Sequence, residues 1–278
     1  MKNRPFAQVD VFTAVPYLGN PLAVVMDGSG LSTEQMQAFT DWTNLSEATF
    51  VLPPTQPDAD YAVRIFCPGR ELPFAGHPTL GTCHAWLEAG GVPKAQEVVQ
   101  ECGVGLVKIQ RHGTRLSFAA PPLRRGGPLD ETDVQLIAKG LGLSRSDILH
   151  HAWCDNGPQW RGVVLGSAEE VLALRPNPEL LKGLDIGVVA PLTTGDAQFE
   201  VRAFFPGNNG LTEDPVTGSL NAAMGQWLMG AGLAPDSYVV SQGTCLGRAG
   251  RVHMQRDEQN QVWVGGESVT CIEGSVLL

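Results

Sequence analysis

Short apolar runs, broken by glycine and proline, make up most of this chain. Residues 8–13 alternate apolar and polar side chains, as a strand with one buried face does. The Gly19-Asn20-Pro21 turn leads to a second strand over 22–26. The period then changes. Met36, Phe39 and Trp42 recur at helical spacing behind Ser32 and Gln35, which fit a capping box, and the helix is expected to end near Asn44. Strand-like runs follow over 45–52, 61–66, 97–102, 106–111 and 115–119. The second half repeats the mixture. It predicts a helix over 134–141 capped by Asp130 or Thr132, a Gly157-Pro158-Gln159-Trp160 turn and a strand over 162–165. Helices over 168–174 and 178–184 come next, then strands over 186–191 and 199–205. A meander over 238–242, 251–255, 261–264 and 270–272 ends the chain.

Two stretches depart from this alternation. Residues 80–87 and 220–229 are almost all apolar or small. A helix that is apolar all round has no face for water, so each belongs inside something. Each also follows a strand and a glycine-containing turn. Arg64-Ile65-Phe66-Cys67-Pro68-Gly69 reads again, 138 positions on, as Arg202-Ala203-Phe204-Phe205-Pro206-Gly207. At that offset Gly76 falls on Asp214, Thr79 on Thr217 and Gly81 on Ser219. The offset is about half of the 278 residues, so the chain reads as two similar domains, 1–122 and 123–278. The last few residues are free to pack on the first. The fold class is α/β (α+β), each domain being a rolled, mainly antiparallel sheet around a central helix. The two glycine-containing turns are then expected to face each other across the gap, the usual place for a pocket.

Composition narrows the partners. The net charge of −10 argues against nucleic acid and anionic membrane. A small anionic substrate stays compatible, because helix N-termini attract anions locally. The six cysteines show no Cys-x-x-Cys pair and read as reduced, mostly buried thiols. No run of about 18 apolar residues is present to cross a membrane, and no basic-then-apolar leader is visible, so the expected location is the cytoplasm. No metal constellation, P-loop or GxGxxG occurs, and no cofactor is expected.

A few residues could carry chemistry. Glu47 has Leu45, Ala48, Phe50 and Val51 for neighbours. A carboxyl held near apolar surface has its charged form disfavoured, which suits a proton shuttle. Its plainer reading is a strand-edge glutamate in water. His77 lies in the first turn of the first apolar helix beside Gly76 and is read as able to titrate, or else as a hydrogen-bonded structural histidine. Asp214 precedes Pro215, which suits the first helical position, so Asp214 fits the N-cap of the second apolar helix. Capping explains it without catalysis. Gly218 and Ser219 would offer N–H groups and a hydroxyl to a carboxylate, or simply allow tight helix packing. His84 reads as a core or cleft-wall residue, and His150-His151 as surface.

Taken together, the motifs resemble a known family. Val9-Asp10-Val11-Phe12-Thr13, Gly19-Asn20-Pro21-Leu22-Ala23-Val24, Asn44-Leu45-Ser46-Glu47, Phe74-Ala75-Gly76-His77-Pro78-Thr79 and Glu213-Asp214-Pro215-Val216-Thr217-Gly218-Ser219 resemble the phenazine biosynthesis PhzF-like family. Gln242-Gly243 with Gly247-Arg248 resembles its late motif. The resemblance runs through nearly the whole chain, in the family's order. It implies the diaminopimelate-epimerase-like fold, a homodimer and no cofactor. It also implies an isomerase of the kind that acts on trans-2,3-dihydro-3-hydroxyanthranilate. In that scheme Glu47 moves the proton, His77 and Asp214 assist and orient, and Gly76, Gly218 and Ser219 line the site and hold the substrate. Two departures remove no catalytic group but are compatible with a different substrate. Ala48 stands where the family often has threonine, and Cys67 where threonine is common between Phe66 and Pro68. A two-base racemase or epimerase of the thiol type is the alternative, but it needs cysteines at both glycine-containing turns. A non-catalytic binding protein on the same scaffold is another, since a fold does not fix a function.

Overall fold

The computed structural model describes residues 1–207 and 210–278. The chain forms two compact units, residues 1–119 with 265–278, and residues 120–264.

The first unit contains β1 (Asn3–Val11), β2 (Asn20–Val25), α1 (Thr33–Thr43), β3 (Ala48–Leu52), β4 (Tyr61–Cys67), β5 (Arg70–Leu72), α2 (Gly76–Glu88), β6 (Val98–Cys102), β7 (Gly105–His112) and β8 (Arg115–Ala119). The C-terminal strand, Ser268–Leu277, pairs antiparallel with β1 along its length, which explains why β1 starts well before residue 8. From β1 the sheet continues through β2, β3, β4, β6, β7 and β8. Only the β2–β3 and β4–β6 pairs are parallel. Each is bridged by a helix, as parallel neighbours require. α1 joins β2 to β3, and α2 lies between β4 and β6 in sequence. α2 packs against β1, β2, β3, β6, β8 and the C-terminal strand, so the sheet rolls round it. Gly81 permits that approach, since a Cβ there would sit 2.7 Å from both Leu22 and Val11 side-chain atoms.

The second unit contains α3 (Glu131–Leu141), β9 (His150–Asp155), β10 (Gln159–Val164), α4 (Ala168–Ala173), β11 (Asp185–Pro191), β12 (Phe199–Gly207), β13 (Gly210–Asp214), α5 (Gly218–Gly230), β14 (Ser237–Gln242), β15 (Gly250–Arg256) and the first three residues of β16 (Val262–Gly266). Its strands run β9, β10, β11, β12, β14, β15, and again only two of these pairs, β10–β11 and β12–β14, are parallel. This is the β1, β2, β3, β4, β6, β7 order of the first unit with the same directions. α5 packs on β9, β10 and β15. The class is therefore mixed α/β, mostly antiparallel sheet, as the sequence predicts.

Local chemistry explains the helix ends. Ser32 and Gln35 form both bonds of the capping box, and Asn44 stops α1 in the left-handed region at φ 57°. Ser167 and Glu170 build the same box on α4. Met36 and Phe39 are buried, but Trp42 is exposed. Each three-residue step falls about 60° short of a full turn, so a third residue at that spacing has rotated off the core face. Residues 178–184 are not a helix. Asn177 Oδ1 takes the N–H groups of Glu179 and Leu180, one turn closes, and Gly183 then reverses the backbone at φ 79°. All six cysteines are free thiols, but only Cys83 and Cys154 are buried, and Cys245 is exposed.

Candidate active site

The predicted residues gather into two groups, one in each unit. In the first, Glu47 immediately precedes β3, whose Ala48 pairs with Ala23 and with Phe66. His77 is the second residue of α2. Glu47 Oε2 and His77 Nδ1 lie 3.4 Å apart, with the glutamate side chain 17% and the histidine 5% exposed. Burial drives the imidazole pKa down to about 3, and the Pro21 carbonyl beside it opposes this only in part. Burial thus favours the neutral imidazole beside Glu47 and weighs against the reading in which His77 titrates near neutral pH. Gly76 is buried at the start of α2, where the first main-chain N–H groups have no partner within the helix. Behind it the helix is fixed by polar contacts. Gln100 Nε2 donates to Thr79 Oγ1 at 3.0 Å, Tyr61 Oη donates to Gln100 Oε1 at 3.0 Å, and Thr82 Oγ1 donates to Thr49 at 2.8 Å.

The second group is wired through a glutamine. Asp214 ends β13, and its Oδ2 accepts a 2.6 Å hydrogen bond from Thr217 Oγ1. Gln242, fully buried, spends both ends of its amide here. Its Oε1 accepts from Thr217 N at 3.1 Å and Asn221 Nδ2 at 2.8 Å. Its Nε2 donates to Thr217 Oγ1 at 2.9 Å and to the Asp214 carbonyl at 3.2 Å. Gly243 follows at φ 93°, and a Cβ there would strike the Pro215 carbonyl at 2.6 Å, so glycine lets this strand end pass under the Asp214-Pro215 turn. Gly218 is buried, and Ser219 is half-buried with its Oγ accepting from Trp160 Nε1 at 3.1 Å.

The helix onset corrects two expectations. The N-cap of α5 is Thr217, and Asp214 and Pro215 precede the helix. The repeat also changes register. Phe66 opposes Glu71 in the first hairpin and Phe204 opposes Glu213 in the second. The strands β4 and β12 keep the offset of 138, but the second hairpin is four residues longer. From there the equivalent pairs are 142 apart, Glu71 with Glu213, Gly76 with Gly218 and His77 with Ser219. Asp214 therefore corresponds to Leu72. The hairpins share a bidentate ion pair, Arg64–Glu71 at 2.6 and 2.7 Å and Arg202–Glu213 at 2.7 and 3.0 Å.

Other candidates stay apart from both groups. His84 is half-buried, 3.2 Å from Thr270 Oγ1 and from Glu88. His150 is exposed as expected, but His151 is half-buried and its Nδ1 accepts from Leu129 N at 3.1 Å. Among the described residues no group of three or more His, Cys, Asp or Glu could hold a metal ion. No helix among them is long and apolar enough to cross a membrane. Sequence reading passed over Thr217, Asn156 and Trp160. The repeat pairs Thr217 with Thr79 but assigns it no role, nothing in the spacing of Asn156 and Trp160 marks them, and all three matter through what they touch.

A model of phenazine biosynthesis-like proteins matches residues 9–274. The chain belongs to that family. A trans-2,3-dihydro-3-hydroxyanthranilate isomerase of Pseudomonas chlororaphis is 31% identical, over 97% of this chain and 98% of its own. A relative named antisense-enhancing sequence 1, from Schizosaccharomyces pombe, is 37% identical over 99% of both. A crystal structure of a phenazine biosynthesis protein of the PhzF family, from Bacillus anthracis, superposes with a TM-score of 0.84 at 25% identity, covering 100% of both chains. This is a family with named isomerases, and its fold reaches further. A probable proline racemase of Agrobacterium radiobacter matches with a TM-score of 0.61 at 14% identity, over 99% of this chain and 93% of its own.

Proposed function

We propose that the protein is a cofactor-independent isomerase that moves a proton between carbons of a small cyclic carboxylic acid. The substrate is of the trans-2,3-dihydro-3-hydroxyanthranilate type. Glu47 takes the proton from one carbon and returns it to another. His77 and Asp214 assist and orient, while Gly76, Gly218 and Ser219 hold the substrate. The observation that carries this reading is the Glu47–His77 pair, a carboxylate 3.4 Å from a buried imidazole that stays neutral. A neutral imidazole beside Glu47 can accept or donate a hydrogen bond as the carboxyl gains and loses the proton. It does so without locking the carboxylate in an ion pair. The two helix N-termini supply N–H groups suited to a carboxylate and to charge that develops during transfer. The reading takes the protein as a cytoplasmic homodimer, and light scattering on the purified chain tests the dimer.

The test is proton exchange in deuterium oxide over a panel of cyclic and unsaturated carboxylic acids that includes trans-2,3-dihydro-3-hydroxyanthranilate. Mass spectrometry compares wild type with Glu47→Gln. Deuterium uptake or isomerisation of one acid, lost in the variant, is expected. Equal behaviour of the two proteins on every acid removes Glu47 as the base. Tight binding without exchange in either favours the binding-protein alternative.

A further inference from the structure

The sheet of the first unit ends on a bare edge. Its outermost strand is the C-terminal one, Ser268–Leu277, which pairs with β1 on its inner side and leaves residues 272–275 and 277 exposed. Lys2 and Leu278 exchange both of their main-chain hydrogen bonds. Such pairs alternate along an antiparallel ladder, so Val276, Gly274 and Ile272 also turn their N–H and C=O toward β1. Ser275 stands opposite Pro5, which has no N–H to give. Glu273, Ser275 and Leu277 therefore turn N–H and C=O outward. Proteins ordinarily guard such an edge with lysine, proline or a short strand. Here Glu273 is the one charged residue from 268 to 278, no proline occurs there, and Ile272 and Leu277 are 52% and 57% exposed. In the second unit the segment that covers β9 is short and charged. Arg125 and Asp155 exchange main-chain bonds, Trp153 N donates to the Gly127 carbonyl, and Arg124 and Arg125 are both exposed.

We infer that two copies of the chain meet at this edge, C-terminal strand against C-terminal strand, antiparallel about Ser275. The inference rests on the homodimer of the proposed function and names its surface. The strand supplies its own complement. Cys271 is an extra residue opposite the Gln8–Val9 step, and this bulge ends the regular pairing, leaving 272–278. Two identical antiparallel segments have their two-fold axis at the midpoint, here Ser275. Ser275 then faces Ser275 of the second copy, Gly274 faces Val276, Glu273 faces Leu277 and Ile272 faces Leu278. The outward-turned residues of one copy meet those of the other, so about six main-chain hydrogen bonds close. Gly274 and Ser275 put little bulk at the axis. The two Glu273 residues lie about 14 Å apart along the strands, so the one charge on the edge does not oppose itself.

The experiment has two arms on the full chain. Sedimentation over a dilution series compares wild type with Ile272→Lys, which puts a gatekeeper charge at an exposed position of the edge. The two-fold axis applies the change twice, and the dimer dissociation constant is expected to rise about thirtyfold or more. The second arm reads the register by oxidative cross-linking in a Cys245→Ser/Cys271→Ser background. Ser275→Cys is expected to form a disulfide-linked dimer. Glu273→Cys and Leu277→Cys are expected to cross-link poorly alone, because each lies about 14 Å from its own copy, beyond disulfide reach. Mixed together, those two variants are expected to link to each other. A wild-type dimer whose affinity Ile272→Lys leaves unchanged, or in which Ser275→Cys links no better than the two flanking variants, overturns the inference and leaves the homodimer standing. A wild type that stays monomeric throughout the series removes the homodimer and the inference together.

Discussion

At the start of α2 the capping position is Ala75, whose side chain bonds to nothing, and the residues beside it are a glutamate and a buried histidine 3.4 Å apart. At the start of α5 the capping position is Thr217, enclosed by Gln242, Asn221 and Asp214 in hydrogen bonds of 2.6–3.2 Å. The backbone plan is the same, strand, hairpin and buried 13-residue helix. What differs is the partner that each carboxylate is given. The α5 onset fixes its carboxylate with a short bond and a saturated glutamine. The α2 onset sets its carboxylate beside an imidazole that burial keeps uncharged. The second arrangement suits a group that changes protonation in each turnover, and the first suits one that stays as it is.

The sharpest way to test this difference is to neutralise one carboxylate at a time. Glu47→Gln is expected to lower kcat for the exchanging acid by roughly 10³-fold or more, within or beyond the range for a lost acid–base group. Asp214→Asn is expected to cost about tenfold to a hundredfold, since Thr217 can still bond the amide oxygen. Single-turnover exchange on both variants makes the comparison. Equal losses would mean that the two onsets share the proton work.

The hairpin ion pairs offer the next contrast. Arg202 and Glu213 are 6% and 12% exposed, and Arg202 also donates to the Val171 and Leu174 carbonyls. Arg64 and Glu71 are 28% and 39% exposed. Arg202→Met strands a buried carboxylate and is expected to cost about 3–5 kcal/mol in urea unfolding. Arg64→Met, at the equivalent place, is expected to cost only about 0.2–1 kcal/mol. The same motif is thus expected to weigh more in the second half, where burial and the two carbonyl bonds of Arg202 add to it.

His77 supplies a pH signature that the α5 onset lacks, because Ser219 takes its place there. Its pKa is about 3 in the folded chain against the ordinary 6.5. Above 6.5 the imidazole is neutral whether folded or not, and it adds no pH dependence. Below 6.5 the unfolded chain binds a proton that the folded chain refuses, so stability falls as pH drops toward 3. The slope approaches about 1.4 kcal/mol per pH unit, roughly 2 kcal/mol between pH 6.5 and 5. Urea unfolding at these two values is expected to show that loss in wild type and a loss smaller by about that amount in His77→Gln. An unchanged slope in the variant would mean that the imidazole is protonated in the fold.

Much of this was legible in the sequence, and the misses have a common cause. The unbroken apolar runs over 80–87 and 220–229 mark the two buried helices, and the repeated Arg-x-Phe-x-Pro-Gly motif marks the halves. Glu47 and His77 were found because a charged or titrating residue in an apolar stretch is itself a signal. The onset of α5 was misplaced because Pro215 looks like a helix start, and a hairpin four residues longer shifts the repeat without leaving a mark in either motif. Thr217 is legible only as the repeat partner of Thr79, and Asn156 and Trp160 are ordinary residues of a hairpin. Their importance lies in contacts across 25, 63 and 59 positions, which no local pattern encodes. The 178–184 stretch failed for the opposite reason. Its composition suits a helix, and one Asn side chain with one glycine was enough to close it after a single turn.

The repeat makes its last prediction where the two units agree. α1 and α4 both begin with a serine whose hydroxyl accepts from the third helical residue, and in both that residue's side chain bonds back to the serine N–H. The helices are 11 and 6 residues long, and both serines bond at the same 3.3 Å. If the cap is a local device, Ser32→Ala and Ser167→Ala cost the same, about 1 kcal/mol each. If the short helix depends on its cap to form at all, Ser167→Ala costs more, because a six-residue helix has little else to offset nucleation. α4 gains from Arg202, which ties the Val171 and Leu174 carbonyls at its end to the sheet. Equality is therefore expected in the wild-type background. The gap should open once Arg202→Met removes that tie, and urea unfolding of the two single variants and of Arg202→Met/Ser167→Ala decides it. A gap in the single variants would show that the cap, and not the sheet, holds α4.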